Sequence, residues 1–197
     1  MPAYPSIILA SQSPRRKTLL EWAEVPFEVI VKETAESFPD DLPIPEVPVH
    51  IALNKALAVQ QHVQNAYHGV YKQSIILAAD TVVVLDNRII GKPADRAEAI
   101  QTLKALSGKT HQVITGVVLL KEDERISFAD TTAVSFHEIS NEDIEFYVDK
   151  YQPYDKAGAY AIQEWIGVAG IQKIHGDFYN VMGLPVSRVL QELKRFL

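Results

Sequence analysis

Residues 6–24 read SIILASQSPRRKTLLEWAE. The apolar run 6–10, closed by polar residues, predicts a short buried strand. Ser13 then reads as an N-cap and Pro14 as the first residue of a helix running to about Ala23, with Leu19, Leu20 and Ala23 turned inward. Arg15, Arg16 and Lys17 fall in the first turn of that helix. The backbone dipole is positive there, so each cation costs a few tenths of a kcal/mol, up to about 1 kcal/mol. Three such violations in a row, next to the hydroxyls of Ser11 and Ser13, point to an anion held at the helix start. A capped surface helix with solvated arginines is the competing reading, and this stretch alone does not separate the two.

Strand followed by helix is the first step of an α/β chain, and the pattern continues outward. FEVIV (27–31) predicts a second strand. Residues 32–48 hold five acidic side chains and four prolines and read as a long irregular loop. A helix follows over about 48–64, with Ile51, Leu53, Ala56, Leu57 and Val59 near helical spacing. SIILAAD (74–80) nearly repeats SIILAS (6–11) and predicts another buried strand, ending on a carboxylate. TVVVLDNRII predicts a hairpin turning at Asp86-Asn87. Asp95 caps a helix to Leu106, closed by Ser107-Gly108. Two β-rich stretches, HQVITGVVLLKE and ISFADTTAVSFHEI, meet at a turn near Asp123; Ser140 caps a helix over 141–150, and 185–197 is amphipathic helix. Helices alternating with strands and hairpins predict a mixed sheet flanked by helices. No linker or low-complexity segment divides residues 1–197, which read as one domain.

Composition narrows the function. Of 197 residues, 47% are hydrophobic and 22% charged, enough apolar material for a sizeable core. The net charge of −6 provides no global field for a nucleic-acid polymer or a membrane, so a polyanion must be met by local cations or a metal. With no cysteine, thiolate sites and cysteine nucleophiles are excluded. The six histidines include no i,i+3 or i,i+4 pair, which argues against zinc. Residues 1–10 lack the n- and h-regions of a signal peptide and no apolar run approaches ~20 residues, so the expected location is cytoplasmic.

Outside the opening stretch, four positions and one loop are candidates. Asp80 adjoins a buried strand, where a carboxylate is costly unless it is paired or binds a metal. A general base and an Mg²⁺ ligand are both open readings, as is a plain turn aspartate. Lys92 lies in IIGKP, Lys55 in a helix and Glu36 in the acidic loop. Each taken singly is an ordinary surface residue. In YDKAGAYAIQ (154–163) the small residues allow close backbone approach and the Gln163 amide has a donor and an acceptor with which to read a base edge, but from the residues alone a tightly packed turn is the favoured reading.

Taken together, LASQSPRR, AADTVV, GKP, ITGV, DKAGAYAIQ and NVMGLP resemble, in order and spacing, the Maf family of nucleoside triphosphate pyrophosphatases, once described as septum-formation inhibitors. The resemblance spans nearly the whole chain. It implies an elongated α/β fold of two lobes around a central cleft, shared with inosine-triphosphate pyrophosphatases. It also implies cleavage of a nucleoside triphosphate to the monophosphate and pyrophosphate with a divalent cation, Mg²⁺ or Mn²⁺. By motif, Asp80 matches the proton acceptor, and Arg15, Thr81 and Gln163 match the specificity positions. Ser11, Arg16, Glu36, Lys55 and Lys92 match other cleft positions, with Glu36 and Asp80 as the metal ligands. DKAGAYAIQ resembles the branch acting on dTTP and UTP, in which Ala157, Gly158 and Ala159 would close around a single ring. That branch usually has Gly-Ile-Gln-Gly where this chain has Ala161-Ile162-Gln163-Glu164, so Glu164 brings a carboxylate to the expected rim of the base site. Homodimers are compatible with the family. The 7-methyl-GTP branch, or a non-catalytic nucleotide-binding regulator of septum formation, are the alternatives carried by the same resemblance.

Overall fold

The computed structural model describes residues 7–66, 70–71 and 73–196. Ser6 and Leu197, assigned above to a strand and a helix, lie outside them. Among the described residues the elements run β1 (Ile7–Leu9), α1 (Pro14–Trp22), β2 (Phe27–Val29), α2 (Val47–Ala66), β3 (Ile75–Leu85), β4 (Arg88–Ile90), α3 (Arg96–Leu106), β5 (Thr110–Lys121), β6 (Glu124–Phe136), α4 (Asn141–Tyr151), α5 (Trp165–Gly170), β7 (Ile171–His175), α6 (Phe178–Met182) and α7 (Val186–Leu193). Short 3₁₀ turns occupy Ile44–Glu46, Ala157–Ala159 and Lys194–Phe196. The strands form one seven-stranded sheet in the order β2-β1-β3-β5-β6-β7, with β4 paired to β3. Pairing is parallel for β1 with β2 and β3, and antiparallel for β3 with β4 and β6 with β7. The fold is therefore a mixed sheet flanked by helices, as the alternation of elements predicts.

The two near-identical sequence runs are neighbours. Ile7, Ile8 and Leu9 pair in parallel register with Ile75, Ile76 and Leu77. Identical apolar triplets side by side give each sheet face matched, branched side chains. Ile8, Ala10, Ile76, Ala78, Val118 and Leu120 share a core with Ala52, Ala56, Val59 and Val63 of α2, an i, i+4, i+7, i+11 stripe. Leu57, expected inside, is 45% exposed because it lies off that stripe.

Three boundaries differ from expectation. β2 is shortened to Phe27–Val29, the edge of the sheet. The 32–48 loop ends in a 3₁₀ turn that leads into α2 at Val47. β3 does not stop at Asp80 but runs unbroken to Leu85, because the apolar residues on both sides of Asp80-Thr81 continue the same ladder. Its hairpin turns where expected, with Asp86 and Asn87 both at positive φ (48° and 60°). Ser13 holds the N-cap position of α1 but its hydroxyl does not cap; Asp95 and Ser140 do cap α3 and α4. β7 carried no sequence signal strong enough to find it.

Contacts divide the chain into two compact units. One holds the chain up to Asp80, Thr115–Asp130 and the segment from Gly183; the other holds Thr81–Ile114 and Thr131–Met182. No described helix is long and apolar enough to cross a membrane.

In the first unit, Gly116 of the ITGV motif sets how closely α2 approaches the sheet. A Cβ there would lie 2.2 Å from the Val49 nitrogen and 2.3 Å from the Pro48 carbonyl carbon. Backbone cannot yield as a side chain does, so Gly116→Ala is expected to cost at least about 1–3 kcal/mol. Gly91→Ala, with nothing within 4 Å, is the matched control. Urea denaturation of both variants checks the difference.

In the second unit, His111 is buried, with Nε2 and the Tyr160 hydroxyl 2.7 Å apart and its ring edge-on to Phe136 and Tyr160. Burial lowers its pKa from 6.5 to about 4. Between these values the unfolded chain binds more protons than the folded one, so this contribution is complete above pH 6.5 and is lost as the pH falls through about 4. In His111→Gln the denaturation midpoint is expected to fall less steeply over that interval than in the unsubstituted protein. Equal slopes would remove His111 as the cause.

Candidate functional site

The parallel pairing of β1 with both β2 and β3 brings three chain segments to one end of the sheet. β1 ends at Leu9 and turns into the loop before α1, while Ile30 N still donates to Leu9 O (3.3 Å) as the chain leaves β2 for the segment carrying Glu36. β3 continues past the end of β1 and so carries Asp80 into the same region. Asp80 has the strand parity of Ile76 and Ala78, the face covered by α2. Lys55 of α2 meets it there.

Lys55 Nζ donates to Asp80 Oδ1 and to Glu36 Oε1, both at 2.7 Å. The lysine and aspartate side chains are 19% and 14% exposed, and Glu36 is more open at 48%. Lys55, which by position alone reads as a surface residue, thus answers the cost of placing Asp80 beside a buried strand.

Arg16 is the second cation fixed in place. It is only 9% exposed, with Nε donating to Gly183 O (2.8 Å) and Nη1 donating to Ser11 Oγ (3.1 Å). Ser11 Oγ also accepts from Ser13 N (3.2 Å), which binds the helix entry to the guanidinium. Burial lowers the Arg16 pKa; the charges of Asp80 and Glu36 work the other way and Arg15 adds to the lowering. Arginine remains charged despite this. The solvated-surface reading of the opening stretch therefore fails at Arg16, whose position is set by a carbonyl distant in sequence.

Ser11, Arg15, Arg16, Glu36, Lys55 and Asp80 thus belong to one interacting group in the first unit. Three cations against two carboxylates leave it net positive within an acidic chain. Such a group can bind a polyphosphate and hold a carboxylate near it. Among the described residues no three His, Cys, Asp or Glu side chains are grouped to hold a metal. Two carboxylates facing one point fit a cation that takes its other oxygens from phosphate and water.

Thr81, Lys92 and Gln163 belong to the second unit. Lys92 is exposed in the loop after β4, and the neighbouring Gly91 O accepts from Gly158 N (3.1 Å). Gln163 is exposed just beyond the 157–159 turn. Gly158, at φ +72°, is packed on Val83, whose side-chain carbons would be 3.0–3.2 Å from an added Cβ. The small residues expected to close on a ring thus serve first to pack this turn against protein at Gly158. Glu164 does not stand open at a rim, since Tyr147 and Lys156 engage its carboxylate.

Sequence reasoning missed Gly183 and Tyr147. The glycine in NVMGLP was the available signal for the first: its φ of +115° is a conformation that favours glycine, and it aims the carbonyl that holds Arg16. Tyr147 had no signal, being one more apolar position of α4.

Residues 6–196 match the family model described as Maf-like protein. The chain belongs to the Maf family. It is 46% identical over 191 residues to a dTTP/UTP pyrophosphatase of Parabacteroides distasonis, covering 96% of this chain and 95% of that one. Identity is also 46% to proteins of the same name from Porphyromonas gingivalis and Bacillus cytotoxicus, with 96% of this chain and 94% of each relative covered. The solved Ham1 protein of Staphylococcus aureus is similar at a TM-score of 0.44 and 13% identity, over 66% of this chain and 71% of that chain. The family expected from the motifs is the one found, and the branch expected from DKAGAYAIQ is the one these relatives are named for.

A fixed anion site is destabilising while empty, so inorganic pyrophosphate is expected to raise the melting temperature. Arg16→Ala is expected to abolish most of that rise when each protein is compared with its own ligand-free baseline. A full-sized rise in the variant would show that Arg16 only packs.

Proposed function

We propose that this protein hydrolyses dTTP and UTP to the monophosphate and pyrophosphate, in a cytoplasmic nucleotide pool. The observation that carries the chemistry is Lys55 bridging Glu36 and Asp80 beside the buried Arg16. The choice of nucleotide is supported by the name of relatives aligned over 96% of the chain.

Arg15, Arg16 and Lys55 bind phosphate oxygens, Arg16 with its fork preset by Ser11 and Gly183. Lys92 is assigned a further phosphate contact. Asp80 accepts a proton at its carboxylate from the water that attacks the α-phosphorus, and pyrophosphate leaves. Lys55 keeps that carboxylate aimed. Glu36 and Asp80 would hold Mg²⁺ or Mn²⁺, which when bound supplies charge neutralisation and polarises the phosphoryl group. Thr81 and Gln163 are assigned to the base. The Gln163 amide can donate to a pyrimidine carbonyl and accept from N3–H, a pairing that uracil and thymine offer and cytosine does not. Most of the rate enhancement then comes from positioning and charge, as in phosphoryl transfer generally.

A panel of dTTP, UTP, CTP, GTP and 7-methyl-GTP with Mg²⁺, scored for pyrophosphate and orthophosphate, tests this reading. Pyrophosphate as first product and a preference for dTTP and UTP are expected. Orthophosphate as the sole first product rejects the reaction, and a preference for 7-methyl-GTP rejects the branch. Asp80→Asn is expected to lose at least ~10²-fold in kcat while remaining folded. No turnover of any nucleotide by the unsubstituted protein would leave a binding role.

A further inference from the structure

We propose that Tyr147 and Glu164 clamp the chain on both sides of Gln163 and so act as positioning residues for base recognition. This rests on the reading of Gln163 as a base contact. Residues 161–164 form a turn in which Glu164 N donates to Ala161 O (3.1 Å), with Ile162 and Gln163 at its centre. One phenol holds both ends of that turn. The Tyr147 hydroxyl accepts from Ala161 N (3.2 Å) and donates to Glu164 Oε2.

Each partner is itself anchored. Tyr147 is fully buried on α4 and stacks on Tyr151 with ring centroids 5.0 Å apart. Burial first, and the bond to Glu164 second, push its pKa well above the ordinary value. The phenol therefore keeps its proton and must donate it. Glu164 Oε1 lies 3.6 Å from Nζ of the buried Lys156, which answers the carboxylate's charge. At the N-cap of α5 the Glu164 side chain makes no capping bond, so its engagement is with the phenol and the lysine. Behind the turn the backbone of Gly167 packs closely on it: a Cβ there would stand 1.7 Å from Ile162 O. Ile162 is buried while Gln163 is exposed, so the turn presents one polar side chain from a fixed backbone. A glycine at 164, usual in the branch this chain resembles, supplies no carboxylate and leaves the second end of the turn unheld.

The test compares Tyr147→Phe, Glu164→Gly and Glu164→Gln with Gln163→Ala. Tyr147→Phe and Glu164→Gly are expected to lower the UTP-to-CTP ratio of kcat/KM by about tenfold, the size of one net hydrogen bond, through KM for UTP rather than kcat. Glu164→Gln, which can still accept from the phenol, is expected to retain most of the ratio. The thermal shift with pyrophosphate, which has no base, is expected to stay at its unsubstituted size in all of them. Hydrogen exchange at the Ala161 amide is expected to be at least about tenfold faster in Tyr147→Phe. An unaltered ratio in both Tyr147→Phe and Glu164→Gly, or equal losses for UTP and CTP, overturns the proposal. An unaltered ratio in Gln163→Ala overturns it through its premise. If the unsubstituted protein turns over no nucleotide, the proposed function falls, and the clamp is judged by Ala161 exchange alone: unchanged exchange in Tyr147→Phe overturns it.

Discussion

A carboxylate in the middle of an otherwise apolar strand needs a counter-charge, and Asp80 of β3 has Lys55. Its ammonium lies 2.7 Å from an oxygen of Asp80 and 2.7 Å from one of Glu36. Without it the carboxylate on the strand would lack a counter-charge and its mutual repulsion with Glu36 would be unanswered. The requirement reaches far into the fold. Lys55 arrives correctly only if α2 lies close on the sheet, and α2 lies close because Gly116 has no side chain and Ala52 and Ala56 are small. Glu36 arrives because β2 pairs in parallel with β1. Apolar packing of α2 on the sheet therefore sets the charge geometry at the edge of that contact.

The first unit and the second solve the same problem in different ways. In the first, the fixed charges are held by one another and by backbone: Arg16 by Gly183 O and Ser11, Lys55 by two carboxylates. Such a group is costly to assemble, since its charges give up water for one another. In the second, the polar groups around residues 156–164 are satisfied internally, by Tyr147, Lys156 and the turn's own backbone. The second leaves an uncharged amide, that of Gln163, exposed on a turn held by hydrogen bonds.

Much of this was legible in the residues. Hydrophobic runs and caps located most strands and helices, since burial and the helix-end N–H groups act locally. The run SPRRK stood out because cations at a helix start defy the dipole, and Arg16 within it is held by Ser11 and Gly183. The joint order of LASQSPRR, AADTVV, GKP, ITGV, DKAGAYAIQ and NVMGLP was enough to name the family, although each piece alone had an ordinary explanation.

Other features were decided by tertiary structure, for a physical reason common to all of them. Asp80 reads as a strand end because a carboxylate within an apolar ladder is unfavourable; it lies mid-strand because Lys55, 25 residues away in sequence, neutralises it. Arg16 reads as solvated or ligand-bound, and its burial depends on a carbonyl 167 residues away. Glu164 reads as a rim charge until Tyr147 of α4 takes its carboxylate. Local sequence fixes what each residue can do, namely its charge, its donors and its backbone freedom. Which of those capacities remains available depends on partners brought together by packing, because the cost of burying a polar group is settled by whatever stands against it.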